Sequence, residues 1–255
     1  MVICISRKIP KYFQNQNHKI FLPLINLEPL KSMNKIIIIA ALLTFSSALS
    51  FSQSLTNDRP DSGNWWMYFG TFKLNDKYSI HGEVQYRNYN FLGELEQLLI
   101  RTGLNYHIPD SKAILTMGYG YILSEPLVEI SPSITEHRIF QQFIMNQNVG
   151  RFYFSHRYRI EERWIENSDF RWRFRYFLAI NVPLNTKVIE PKTWYLSLYN
   201  EIFLNGETPI FDRNRLYGGV GLQVSPSAKI QFGYMSQIQD ANSRPQLQFS
   251  LFHNL

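Results

Sequence analysis

Between Phe170 and Ile180 the chain reads F-R-W-R-F-R-Y-F-L-A-I. Phe170, Trp172, Phe174, Tyr176, Leu178 and Ile180 therefore share one face of a strand, and Arg171, Arg173 and Arg175 share the other. A soluble sandwich would turn the apolar face to its core and the arginines to water. A transmembrane barrel turns the apolar face to lipid and the charges to a wet lumen. One strand does not decide between these, so the rest of the chain has to.

Apolar residues recur at every second position in eleven runs, near 64 to 74, 77 to 89, 95 to 108, 112 to 124, 135 to 149, 151 to 166, 170 to 181, 193 to 205, 213 to 225, 228 to 239 and 245 to 255. Each is long enough for a tilted membrane strand. Turn residues separate them: Asn75-Asp76, Pro109-Asp110-Ser111, Gly150, Pro183-Leu184-Asn185 and Ser225-Pro226-Ser227. The expectation is an all-β, antiparallel, up-and-down transmembrane β-barrel with short periplasmic turns and longer outer loops. The short connections follow the first, third, fifth and ninth runs, and the longer ones fall around 89 to 95, 125 to 134, 206 to 212 and 240 to 244. Taken literally, that order starts the first strand outside the cell, against an even strand count with both termini periplasmic. Twelve strands are therefore expected, with ten as the alternative, residues 53 to 63 supplying part of a further crossing.

One face of each run is apolar, as at Tyr78, Ile80, Val84 and Tyr86, or Leu115, Met117, Tyr119, Tyr121 and Leu123. Trp65, Trp66, Trp164, Trp172 and Trp194 fall near strand ends, where an amphipathic ring suits the headgroup level. The competing reading makes these the core and rim aromatics of a soluble β-sandwich.

Upstream, Met33-Asn34-Lys35, the apolar run Ile36 to Leu43, and small residues at Ser50 and Ser52 read as a secretory signal peptide cleaved near Ser52. The run is too short for a spanning helix. Residues 1–32 read as an upstream over-extension or long leader, 33–52 as the signal peptide, 53–63 as a polar segment and 64–255 as the barrel. The expected location is the outer membrane of a Gram-negative bacterium. Losing the leader removes Arg7, Lys8, Lys11, Lys19, Lys31 and Lys35 against Glu28 alone, so the net charge falls from +6 to about +1. The basic balance is then no argument for nucleic-acid binding. Cys4, the single cysteine, leaves as well, which excludes a disulfide framework, a lipid-modified cysteine and a thiol nucleophile.

Arginines crowd the opposite strand faces: Arg87, Arg101, Arg138, Arg157, Arg159, Arg163, Arg171, Arg173, Arg175, Arg213 and Arg215. Glu83, Glu136, Glu161 and Glu201 share their phase and are fewer. Guanidinium keeps its charge in any wall environment and offers a planar fork to carboxylate, sulfate or phosphate. A lumen with surplus guanidinium would attract small anionic solutes or acidic oligosaccharides. The alternative is an interior filled by Arg–Glu pairs that conducts nothing and serves structure or partner docking. Gly103, Gly118, Gly120, Gly219 and Gly221, also inward, read as relief of crowding.

A lipid-modifying enzyme is a further alternative, for which His81 with Glu83, His137 with Glu136, and Ser155 beside His156 are the available pieces. Residues 155 and 156 point to opposite faces of a regular strand, and His137 falls on the lipid side if Glu136 faces inward. No catalytic role is assigned. Neither a phosphate-cradling glycine loop nor a metal-spaced histidine cluster appears, so no cofactor or metal is expected.

The segments E-H-R-I-F-Q-Q (136 to 142), H-R-Y-R-I-E-E-R-W (156 to 164), F-R-W-R-F-R-Y (170 to 176), N-E-I-F-L-N-G (200 to 206) and F-D-R-N-R-L-Y-G-G-V-G (211 to 221) resemble the family DUF2490. That resemblance spans essentially the whole mature chain and implies an outer-membrane β-barrel of no assigned activity. The arginine strands from 136 to 175 are more loosely similar in pattern to oligogalacturonate-specific porins. The final strand, Q-L-Q-F-S-L-F-H-N-L, resembles the terminal signal read by outer-membrane insertion machinery, with Leu255 in place of the usual aromatic. The expected partners are outer-membrane lipid, that machinery and small anionic solutes.

Overall fold

In the computed structural model of the chain, residues 62–91, 93–127, 131–240 and 242–255 are described; the expected signal peptide and nearly all of the polar segment 53–63 lie outside them. The alternating runs become eleven strands: β1 (Gly63–Lys73), β2 (Tyr78–Asn88), β3 (Leu95–His107), β4 (Ala113–Ser124), β5 (Ile134–Val149), β6 (Phe152–Ile165), β7 (Arg171–Pro183), β8 (Trp194–Asn205), β9 (Phe211–Gln223), β10 (Ala228–Gln239) and β11 (Asn242–Asn254). Each pairs antiparallel with its neighbour in sequence. β1 then pairs parallel with β11, from Gly63 opposite Gln246 to Thr71 opposite Asn254, and closes the barrel.

This corrects the expectation of twelve strands or ten. In a meander the strands alternate in direction, so an odd number points the first and last the same way and the seam must be parallel. Because β1 is bonded on both edges, the circle has no place for a further crossing. The conflict over the first strand disappears, since the two ends of the barrel chain emerge at opposite rims.

Four connections at one rim are short, 74–77, 108–112, 150–151 and 224–227. Asn75 Oδ1 accepts the N–H groups of Lys77 and Tyr78, both at 2.9 Å, and Gly150 takes the positive φ of 59° that its tight turn requires. At this same rim, residues 184–193 form a longer strap. Asn185 Oδ1 accepts from Trp194 N at 2.8 Å, and Ile189 N donates to the Tyr153 hydroxyl at 3.2 Å. The opposite rim carries the connections 89–94, 125–133, 166–170 and 206–210. The long connection expected around 240–244 is not found, since Asn242, Ser243 and Arg244 already lie in β11 and only residues 240–241 separate it from β10.

The wall sorts its residues by phase. Met117 (64 % exposed), Leu104 (50 %) and Phe174 (43 %) stand outward, whereas Arg101 (5 %) and Glu161 (1 %) are enclosed. Outward apolar and inward ionic is the reverse of a water-soluble β protein. Trp66, Tyr86, Trp164 and Trp172 ring the loop rim, and Phe72, Tyr78, Tyr106 and Trp194 ring the short-turn rim. Inside, Trp65, Tyr217 and Met235 pack together with Met67 and Tyr199 against them. The inward glycines make room for such rings. A side chain at Gly118 would collide with Phe140, and one at Gly221 with Tyr195.

Candidate functional site

Inward positions on adjacent strands face one another at fixed register, and this builds the interior. Glu161 on β6 lies opposite Arg173, Arg159 opposite Arg175, Glu201 opposite Arg215, Glu83 opposite Arg101, and Arg138 opposite Arg163. Glu161 is the hub. Its Oε1 accepts from Arg175 Nη1 at 2.5 Å and lies 3.5 Å from Arg159 Nη1, while Oε2 lies 3.7 Å from Arg138 Nη1 and 4.0 Å from Arg173 Nε. Glu201 accepts from Arg157 Nη2 at 2.7 Å and Arg175 Nη2 at 2.6 Å, with Arg215 at 3.8 Å. Glu136 takes Arg138 and Arg163, and Glu83 takes Arg101 at 3.0 Å. Pairs with this little solvent are held by short charge-assisted bonds rather than screened by water.

Aromatic faces complete the packing. Arg175 and Arg215 lie over Phe203 at 4.4 and 4.6 Å, Arg159 over Phe140 at 4.7 Å and Arg157 over Phe177 at 4.5 Å. Arg87 and Arg215 share Trp65, at 3.8 and 4.7 Å. Arg87 bonds neutral partners, with Nη1 donating to Gln97 at 2.6 Å and Nε to Gln85 at 3.1 Å. The interior so described is largely filled by side chains, and Glu136, Glu161 and Glu201 are each shared by two or more guanidinium groups.

Of the residues singled out in the sequence, Arg101, Arg138, Arg157, Arg159, Arg163, Arg173, Arg175 and Arg215 meet in this lattice with Glu83, Glu136, Glu161 and Glu201. Arg171 does not. It is exposed where β7 begins at the loop rim. Arg213 pairs with Asp212 at 3.0 Å, and Asp212 also reaches Arg173 at 3.4 Å. Asp212 was not singled out, because strict alternation puts it outward; a register shift between Phe203 and Leu204 leaves it without a partner on β8 and lets it turn in.

A second polar feature was also missed. Ser79, Asn105, Thr116, Gln142 and Arg159 stand directly opposite one another on β2 to β6. Arg159 Nε donates to Gln142 Oε1 at 2.9 Å, Gln142 Nε2 to Thr116 Oγ1 at 3.1 Å, Thr116 Oγ1 to Asn105 Oδ1 at 2.7 Å, and Asn105 Nδ2 to Ser79 Oγ at 3.0 Å. Ser79 Oγ lies 2.8 Å from His107 Nε2. The signal was there in the short turns, which set the register of β3 with β4 and of β5 with β6.

The histidine pieces separate as their phase dictates. His81 meets Glu83 inside at 3.3 Å, whereas His137 bonds Tyr119 and His156 bonds Tyr176 (2.9 Å) on the outer face. Glu136 and Ser155 point the other way from their histidine neighbours. Among the described residues no group of three or more His, Cys, Asp or Glu is disposed to hold a metal ion.

The profile described as "Protein of unknown function (DUF2490)" matches residues 62–248, the barrel nearly end to end. The chain belongs to the DUF2490 family. An uncharacterised protein of Methylorubrum extorquens strain AM1 is 28% identical over 191 residues, covering 69% of this chain and 78% of that protein. No solved structure matches. Membership in DUF2490 accords with the barrel and assigns it no activity.

Proposed function

We propose that this DUF2490 barrel resides in the outer membrane with its interior closed, and that it acts as a structural or partner-docking barrel. The observation that carries the closed reading is Glu161, 1 % exposed and surrounded by Arg138, Arg159, Arg173 and Arg175 where a pore would need water. The narrow anion channel is the less supported alternative, because of its expected track, Arg157, Arg159, Arg171, Arg173 and Arg175, all but the exposed Arg171 are engaged with Glu161 or Glu201. The outward apolar wall between two aromatic girdles supports the membrane setting. At the loop rim, Phe91, Phe170 and Ile210 offer exposed apolar contacts for docking.

The test is current through the refolded barrel in a planar bilayer under a salt gradient. A folded, inserted protein that passes no current is the expected result. A steady anion-selective current would overturn the closed reading and restore the channel. Cross-linking through the 206–210 loop in cells, expected to capture one specific protein, tests docking separately.

A further inference from the structure

The short-turn half of the interior contains a cavity of about 150 Å3 whose lining includes Thr71, His81, Glu83, His107, Arg157 and Arg159. We propose that this cavity binds one small oxyanion, a phosphate, sulfate or carboxylate group. The cavity is cationic after its own partners are counted. Glu83, its only carboxylate, is taken by Arg101 and His81. Arg157 reaches Glu201, but that carboxylate also serves Arg175 and faces Arg215. Arg159 donates to the neutral Gln142 and comes no nearer than 3.5 Å to Glu161.

Arg157 Nε is buried and has no hydrogen-bond partner. A donor enclosed without a partner is costly even on a half-buried guanidinium, and an oxyanion in the cavity that Arg157 lines would remove that cost. Phe177 beneath Arg157 and Phe140 beneath Arg159 hold both planar groups in place before any ligand arrives. At roughly 30 Å3 per water, the cavity has the room of a few waters, enough for one tetrahedral or planar oxyanion and too little for a chain of sugars. The site depends on the barrel interior alone. A barrel that conducts and one that does not leave it equally standing.

The experiment is calorimetric titration of the full chain, refolded in zwitterionic micelles at low salt, with inorganic phosphate, acetate and glycerol 1-phosphate in separate runs. One-site, saturable binding of at least one anion is expected. Arg157→Gln should weaken it roughly tenfold, the loss of one charged hydrogen bond. Thr71→Phe, which fills the cavity and removes no charge, should abolish it, and the exposed Lys77→Gln should leave it unchanged. Should Arg157→Gln fail to refold, Thr71→Phe decides alone. Tighter binding of glycerol 1-phosphate than of phosphate assigns the site to a lipid headgroup, and the reverse order to a free ion. Silence from all three anions, or binding that survives Thr71→Phe, overturns the proposal.

Discussion

Ser79 Oγ lies 2.8 Å from Nε2 of His107, at the end of a chain of hydrogen bonds that starts four strands away at Arg159. Guanidinium can only donate, so Gln142 must present its oxygen to Arg159 and its amide N–H to Thr116. The Thr116 proton then goes to Asn105 Oδ1, and the Asn105 amide donates to Ser79 beside His107.

Thr116→Val cuts this chain with little change of shape. It leaves Gln142 Nε2 and Asn105 Oδ1 enclosed without partners, which should cost about 1–3 kcal/mol in urea unfolding from micelles. Parental stability would mean that the chain contributes nothing.

Glu161→Gln removes the hub carboxylate and leaves four guanidinium groups facing one another. A loss of about 3–5 kcal/mol is expected, the usual effect of breaking a buried pair. The exposed Lys73–Asp76 pair, 2.7 Å long, is the contrast: Asp76→Asn should produce no measurable change. Equal effects from the two substitutions would show that the lattice is solvated rather than sealed.

Gly118→Ala would place a methyl group against the Phe140 ring and 2.5 Å from the Thr102 carbonyl oxygen. Overpacking there should destabilise by about 1–3 kcal/mol. Gly82→Ala meets nothing within 4 Å and should be neutral or stabilise by up to about 1 kcal/mol, through a less flexible unfolded chain. Melting of the two variants in parallel checks the pair.

Glu166, just beyond β6, accepts from both the hydroxyl (2.8 Å) and the backbone N–H (3.1 Å) of Thr135, and these bonds hold its carboxyl below the ordinary 4.5. A lowered folded value means that the contribution is present above the unfolded value of 4.5 and is lost as pH falls through the folded one. Hydrogen exchange at Thr135 N–H should therefore quicken, relative to a base-catalysed reference amide, only below that range. In Glu166→Gln the dependence should vanish. Protection that is flat with pH in the parent would contradict the assignment.

Much of this fold was legible because strand periodicity is local. The eleven runs, the inward phase of the arginines and the turns at Asn75-Asp76 and Gly150 need only a few neighbouring residues to read. Strand number was missed for the opposite reason. The parity rule borrowed from even-stranded barrels outweighed a count that was already right, and parallel pairing of Gly63 with Gln246 leaves no local mark. The state of the interior was equally hidden. Whether Arg175 reaches Glu161 and Glu201 together depends on the stagger of β6, β7 and β8, and the ten-residue strap between β7 and β8 gives no clue to it. Arg171 shares the phase of Arg173 and is still excluded, because it begins its strand and the rim is open to water.

Tags offer a direct check on chain direction. With the barrel in the outer membrane as proposed, impermeant antibody should reach only one of two epitopes, one inserted ahead of Gly63 and one fused after Leu255, on intact cells, and the other only once that membrane is opened. Labelling of both tags from one side would be incompatible with the parallel seam.

That seam has a consequence for what the barrel can carry. A barrel with an even number of strands returns its chain to the compartment it came from, so both tails are residents of one space. Here the wall is entered at Gly63 on one rim and left at Asn254 on the other, and the barrel is in effect a rivet with two different heads. Gly63 and Leu255 are kept apart by the full height of the wall, and each rim can be fitted to its own surroundings.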